Sequence, residues 1–235
     1  MEFEALFARW RAEFPFQTFV RDGIVNPDTY RRILFVLRDK NCGNSGTETE
    51  DLREELRRDG GGWRTWNNAA RWTIALLDGE KPYPRHISRE SRVSQAERIA
   101  AINLKKEGGE NRTDGSALLE AVQKQHELIW EEIQLCRPNI IICCGLPSPG
   151  IQGTGELLKE YVLPDSSGWR SIRSASLDRD WRYYLTGLNG GEVPVVSFCH
   201  PQVTHLQGGL RGHQELFAPL YRDMLLIRER FALGK

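Results

Sequence analysis

The sequence predicts an α/β fold: a single three-layer domain with a central, mostly parallel four-stranded sheet flanked by helices. Three observations predict it. Near-continuous apolar runs ("ILFVL" from residue 33, "AAIN" at 100–103, "NIIICCG" at 139–145, "VPVVSFCHP" at 193–201) read as strands buried on both faces. Stretches with helical apolar spacing lie between them, and that alternation is the pattern of a parallel sheet with crossover helices. The chain has 235 residues, 40% of them hydrophobic and 27% charged, a size suited to one domain with a sizeable core.

The elements follow in order. Residues 2–14 read as an amphipathic helix and belong to an N-terminal helical extension of about residues 1–30. "NPDTYRR" (26–32) reads as a short helix, with Asn26 as cap and Pro27 at its first position. The run from Ile33 to Leu37 is a central strand. The polar, glycine-bounded stretch 41–62 holds one short helix, and "WRTWNNAARWTIALLDG" after it is helical. A short helix at 94–100 leads into "AAIN", and "KKEGGENRTDG" (105–115) reads as a flexible loop. Residues 116–135 form a long helix stopped by Pro138 before the second long apolar run. "GTGELLKEYV" is helical, and "GWRSIRS" and "DWRYYLTG" form a strand pair around a turn. The run 193–201 is the next buried strand, and the last helix spans about 212–231.

Lys plus Arg equals Asp plus Glu at 32 each, so no global charge pulls the chain toward nucleic acid or membrane; a local patch remains open. No apolar run approaches the roughly 20 residues of a membrane span. The N-terminus "MEFEALFARW" is acidic and lacks the basic start of a signal peptide. The five cysteines form no C-x-x-C pair, which favours a reduced, cytoplasmic chain over a disulfide framework.

In parallel α/β sheets, ligands bind beyond the carboxyl ends of the strands. That rule selects Arg38-Asp39-Lys40-Asn41, Asn103-Leu104-Lys105, Gly145 and His200-Pro201-Gln202. Three strand ends thus deliver an Asp, an Asn and a His. A carboxylate activates water or stabilises a developing cation. A carboxamide reads the edge of a flat heterocycle, because it donates and accepts. A histidine donates to a developing oxyanion. Taken singly, Asp39 reads as a cap or salt-bridge partner, Asn103 as a turn residue and His200 as a surface histidine before a proline. Their joint occurrence at strand ends favours a pocket that breaks a bond to a nitrogen base.

Other constellations read as structure. His200, His205 and His213 lack zinc spacing. Cys199 points to the opposite strand face from His200. Gly60–Gly62 lack the Lys-Ser/Thr of a phosphate loop.

On these residues the chain resembles the uracil-DNA glycosylase superfamily, over roughly residues 33–225. "VLRDKN" stands where that family has GQDPY or GEAPG, "AAIN" where it has LLLN, "RPNIIICCG" where it has an apolar strand ending in Gly, and "VVSFCHPQ" where it has a strand followed by HPS. The resemblance implies a monofunctional DNA N-glycosylase, active as a monomer on DNA. It would flip a base from the stack and need no cofactor, no metal and no membrane. The family's iron–sulfur branch needs four placed cysteines, and that pattern is missing. Asp39 and His200 would be catalytic. Asn103 and Asn41 would line the base pocket, and Trp66, with Trp63 second, would stack on the base. Lys40, Lys105, Gln202, Leu206, Leu210 and Arg211 would meet DNA, with Lys106 and Arg112 as further phosphate contacts.

Departures from the motifs sharpen the expectation. Asn41 replaces the Tyr gate that excludes thymine in the uracil-specific branch. Thr204 stands where the leucine wedge is expected, leaving Leu206, Leu210 or Arg211 to fill that role. The open gate favours a 5-substituted pyrimidine, such as glucosylated hydroxymethylcytosine in phage DNA, attacked in defence. The alternatives are a uracil-excising repair enzyme, a catalytically silent nucleic-acid-binding module on the same fold, and an unrelated α/β hydrolase acting on a nucleotide or small metabolite.

Overall fold

The computed structural model describes residues 2–42, 49–61, 64–79, 82–109, 113–204, 206 and 210–233. Helix α1 (Glu2–Glu13) is followed by short strands β1 (Phe19–Arg21) and β2 (Gly23–Ile24), then by β3 (Ile33–Leu37), β4 (Thr49–Asp51), α2 (Leu52–Asp59), α3 (Arg64–Leu77) and α4 (Arg89–Ala96). Strand β5 (Ile99–Asn103), the long helix α5 (Gly115–Cys136) and β6 (Ile140–Cys144) come next. Helix α6 (Thr154–Leu157) continues into a π-helical turn, Leu158–Val162. Strands β7 (Arg170–Arg173), β8 (Asp180–Leu188) and β9 (Gly191–Phe198) precede a π-helical turn, His213–Phe217, and α7 (Ala218–Arg230).

The main sheet has seven strands in the order β2-β5-β3-β6-β9-β8-β7. Four neighbours, β5, β3, β6 and β9, are mutually parallel. The expectation of a four-stranded sheet is therefore corrected to a mixed seven-stranded one. The parallel set is extended by antiparallel β2 on one edge and by β8 and β7 on the other. The β8–β9 turn is Asn189-Gly190, both at positive φ (54° and 79°). Asn-Gly is the sequence that such a two-residue hairpin turn requires.

Alternation along the central strands divides the core. Ile33, Phe35 and Leu37 of β3, with Ile140, Ile142 and Cys144 of β6, pack on one face beneath α2, α3 and α7. Leu34 and Val36, with Ile141 and Cys143, pack on the other beneath α1, α5 and α6. Both faces are covered, which is why these strands are apolar throughout and why the architecture has three layers.

Local chemistry ends the helices. Asp51 caps α2 by accepting from the backbone N–H of Arg53 and Glu54, and Gly60 closes it in the left-handed conformation. Asp114 caps α5 in the same way, and Arg137 at φ 45° ends it.

Other expectations need correction. The N-terminal segment is not helical to residue 30: β1 and β2 follow α1, and Leu6, Phe7 and Trp10 of α1 lie in the core. "NPDTYRR" forms a turn, in which the Asp28 N–H donates to Asn26 Oδ1 (3.1 Å). Residues 105–109 are tied on two sides: the Val20 N–H donates to Lys106 O (2.8 Å) and the Gly109 N–H to Lys40 O (2.7 Å). A two-residue strand and a loop fixed only by distant partners carry no periodicity to read. All five cysteines are free thiols. Among the described residues no helix is long and apolar enough to cross a membrane.

Candidate functional site

The register of the parallel strands sets the site. Leu37 of β3 lies opposite Asn103 of β5, and Cys144 of β6 lies opposite Phe198 of β9. The carboxyl ends therefore fall at one edge, with Asp39, Asn103 and His200 beyond or at their tips. The β3–β5 ladder continues past the strands: Leu104 N–H donates to Leu37 O (3.0 Å) and Lys105 N–H to Arg38 O (2.9 Å).

A cavity of about 290 Å³ opens at this edge, near the lower end of the roughly 300–1,000 Å³ of small-molecule pockets. Asp39, Asn103 and His200 line it together with Asn41, Trp66 and Gln202. With Lys40, seven residues selected from four separate stretches of sequence thus share one cavity. Leu37, Leu52, Glu55, Thr65 and Thr113 also line it.

Asp39 is half-buried, and Oδ1 accepts from the Thr113 hydroxyl (2.7 Å). A Cβ on Gly109 would lie 2.6 Å from Asp39 Oδ2. The glycine is what lets the 107–109 segment close against the carboxylate.

His200 Nδ1 accepts from the backbone N–H of Gln202 (3.1 Å). The proton of the neutral ring therefore sits on Nε2, making that nitrogen the donor. Burial, with the Arg38 guanidinium nearby, pulls the imidazole from its ordinary 6.5 to about 4. The ring is neutral at physiological pH. Its turn is braced from α3: Asn68 Nδ2 donates to Pro201 O (2.6 Å) and Arg71 Nη1 donates to Asn68 Oδ1 (2.8 Å). Arg71 also holds the carbonyls of Pro84 and Arg85. Arg38 is anchored by its Nη2 to Leu146 O (2.6 Å), and burial lowers its pKa.

Asn103 is buried at 1% exposure. Its backbone N–H and its Nδ2 both donate to Asp22 Oδ2, at 2.7 and 3.0 Å. Asp22 Oδ1 accepts from Lys106 Nζ (2.5 Å), which also donates to Glu132 Oε2 (2.6 Å). The last three side chains have no solvent exposure. Lys106 is thereby excluded as a phosphate contact.

Trp66 is 7% exposed and forms part of the cavity wall. Gly61, at φ +62°, lies against it: a Cβ there would approach Trp66 Cδ1 to 2.1 Å. Trp63 and Arg112 lie outside the described residues. Lys40 is half-buried between Glu55 (3.1 Å) and Glu50 (3.6 Å). Burial alone would lower its pKa, but Glu55 and Glu50 outweigh that and hold the ammonium above its usual range. Its charge is already paired within the protein. Asn41 is exposed at the cavity mouth and bridges to Gly109.

Lys105, Leu206, Leu210 and Arg211 are not in the cavity wall. Leu206 and Leu210 are half-buried and pack on the core, and Arg211 is exposed.

Reading strand ends missed Thr113, Asn68, Glu55 and Asp22. Thr113 and Glu55 lie in polar stretches without periodicity. Asn68 is a polar position within an apolar helix face, which is the one signal that pointed to it. The chain matches no known family, no curated protein and no solved structure.

Proposed function

We propose that the protein is a DNA N-glycosylase of uracil-DNA glycosylase-like fold that hydrolyses the bond between deoxyribose and a flipped-out modified pyrimidine. The observation that carries this reading is the meeting of Asp39, Asn103, His200 and Trp66 in one cavity of about 290 Å³. In that reading the protein acts as a monomer on DNA, in the cytoplasm.

Each group has a part that its environment supports. The neutral His200 ring donates from Nε2 to O2 of the departing base, where negative charge develops. Neutrality matters: an N–H held by burial and by the Gln202 N–H stays in place without titrating near pH 7. Asp39, steadied by Thr113, faces the sugar as it turns cationic and orients the attacking water. Asn103 reads the edge of the base. The Trp66 wall offers an apolar surface for the ring. Gln202 and the loop bearing Leu206, Leu210 and Arg211 approach the DNA strand.

The base favoured by this pocket is 5-substituted. The small, exposed Asn41 stands where a Tyr would close the 5-position, so a bulky polar substituent meets no ring. Glucosylated hydroxymethylcytosine of phage DNA fits that opening, and defence against phage is the matching role.

The test is release of free base, read by mass spectrometry, from DNA carrying uracil, 5-hydroxymethylcytosine or its glucosylated form. Release from a 5-modified substrate, lost in Asp39→Asn and His200→Ala, is the expected result. No base from any of these DNAs overturns the reading. Asn41→Tyr should abolish release of the bulky base; retained release would remove the open gate from the account.

A further inference from the structure

The buried set Asp22–Lys106–Glu132 stands apart from the catalytic groups. None of the three lines the cavity, and Asn103 is the residue that joins them to it. Buried ion sets stabilise a fold little compared with apolar residues of the same volume. A role in stability alone is therefore a weak account of three charged groups in a dry layer.

We propose that Asp22 is a positioning residue that locks the carboxamide of Asn103 in one orientation, so that the pocket distinguishes 4-oxo from 4-amino pyrimidines. The inference rests on the glycosylase reading and deepens it.

Both Asp22 oxygens already accept, Oδ1 from Lys106 Nζ and Oδ2 from the Asn103 backbone N–H. The atom of Asn103 that faces Asp22 must then be the nitrogen, as found at 3.0 Å. A flipped amide would set Oδ1 against Asp22 Oδ2, two acceptors with no proton between them. Asp22 is 0% exposed and Asn103 1%, so bulk water is not at hand to repair that contact.

Asp22 Oδ2 also takes the backbone N–H of Asn103. The carbonyl oxygen and the other side-chain N–H remain, one acceptor and one donor in fixed order.

Uracil-type bases offer a donor at N3 and an acceptor at position 4. Cytosine-type bases offer an acceptor at N3 and a donor at position 4. A freely turning carboxamide satisfies both; a locked one satisfies one. The 5-substituent lies on a different edge, so this selection is independent of the Asn41 opening.

Lys106 makes the lock sustainable. Its ammonium binds both Asp22 and Glu132 and lies 4.9 Å from the centroid of the Trp10 ring. Burial and the adjacent Asp22 carboxylate push Glu132 well up.

The experiment measures kcat/KM for base release from oligonucleotide pairs that differ only at position 4: uracil against cytosine, and 5-hydroxymethyluracil against 5-hydroxymethylcytosine. The wild type is expected to prefer one class. Asp22→Asn is nearly isosteric and leaves Lys106 paired with Glu132. Its amide keeps one acceptor where the carboxylate has two, so Lys106 and the Asn103 N–H groups compete for it and the Asn103 carboxamide loses its fixed partner. The preference should fall roughly ten- to a hundred-fold, the effect of one mispaired buried hydrogen bond. Equal loss on both substrates, or a wild type without preference, overturns the proposal.

A second measurement needs only the wild-type fold. In 15N-labelled protein the Asn103 side-chain amide, assigned by its loss in Asn103→Ala, should show one proton shifted downfield and slow to exchange. Exchange at the rate of an exposed asparagine overturns the lock, even if Asp22→Asn fails to fold. A protected amide in a wild type that releases no base would instead indict the glycosylase reading.

Discussion

The two ends of the parallel strands make an instructive contrast. The amino ends open on a cleft of about 500 Å³ that includes Ile33, Ile140 and Val193, the carboxyl ends on a cavity of about 290 Å³. The larger space is the less equipped one. Two of its polar positions are tied to backbone: Arg32 Nε donates to Arg137 O, and the Asn139 N–H donates to Arg32 O. At the carboxyl end a buried amide, a neutral imidazole and a braced carboxylate share one wall. Convergence of constrained polar side chains marks a site, and volume does not.

The largest effect that could break this contrast is catalytic. Asp39→Asn and His200→Ala should each lower base release on the order of 10²–10³-fold, the usual effect of removing one transition-state electrostatic group. Arg32→Ala, at the opposite end, should leave release unchanged. Equal losses at both ends would dissolve the contrast.

Backbone placement gives the next effect. Gly61→Ala introduces a Cβ 2.1 Å from Trp66 at φ +62°, and should cost about 3 kcal/mol in urea unfolding. Gly191, at the amino-end cleft, has nothing within 4 Å of a Cβ, so Gly191→Ala should stay within about 0.5 kcal/mol.

Asn68→Ala comes next. It leaves Pro201 O and Arg71 Nη1 without their partner. A loss of about 2 kcal/mol is expected, with base release falling because the His200 turn is freed. A stability loss with unchanged release would separate the brace from the site.

The smallest effect is that of pH. The folded-state pKa of His200, about 4, is below its ordinary 6.5. The unfolded chain binds this proton more readily, so the stabilisation is complete above pH 6.5 and is lost as pH falls toward 4. Allowing for partial exposure, about 1–2 kcal/mol should disappear over that window in wild type but not in His200→Gln. Release should also persist at pH 5.5, where an ordinary histidine would be roughly 90% protonated.

Much of the site was legible. Asp39, Asn103 and His200 follow predominantly apolar runs, and strands buried on both faces announce themselves without regard to partners. The edge strand β7 was legible in "GWRSIRS" beside "DWRYYLTG", but the short N-terminal strands were not. Phe19–Arg21 and Gly23–Ile24 are too short for a period and are strands only because neighbours supply hydrogen bonds. Lys40 and Lys106 looked alike as loop lysines near a motif; Glu55 claims one, and Asp22 with Glu132 the other.

By itself the sequence determined the central strands, the long helices between them and the chemical types at the strand ends, because those depend on local periodicity and on residue identity; the short helix expected at 94–100 lies instead at Arg89–Ala96, with residues 99–100 in β5. Tertiary structure decided which of these groups share a cavity, which nitrogen of His200 carries the proton and which way the Asn103 amide faces. Those outcomes rest on partners distant along the chain. Asn68 lies 133 positions from Pro201 and Asp22 lies 81 from Asn103. No local pattern encodes such pairings, because they exist only once the sheet has brought its ends together.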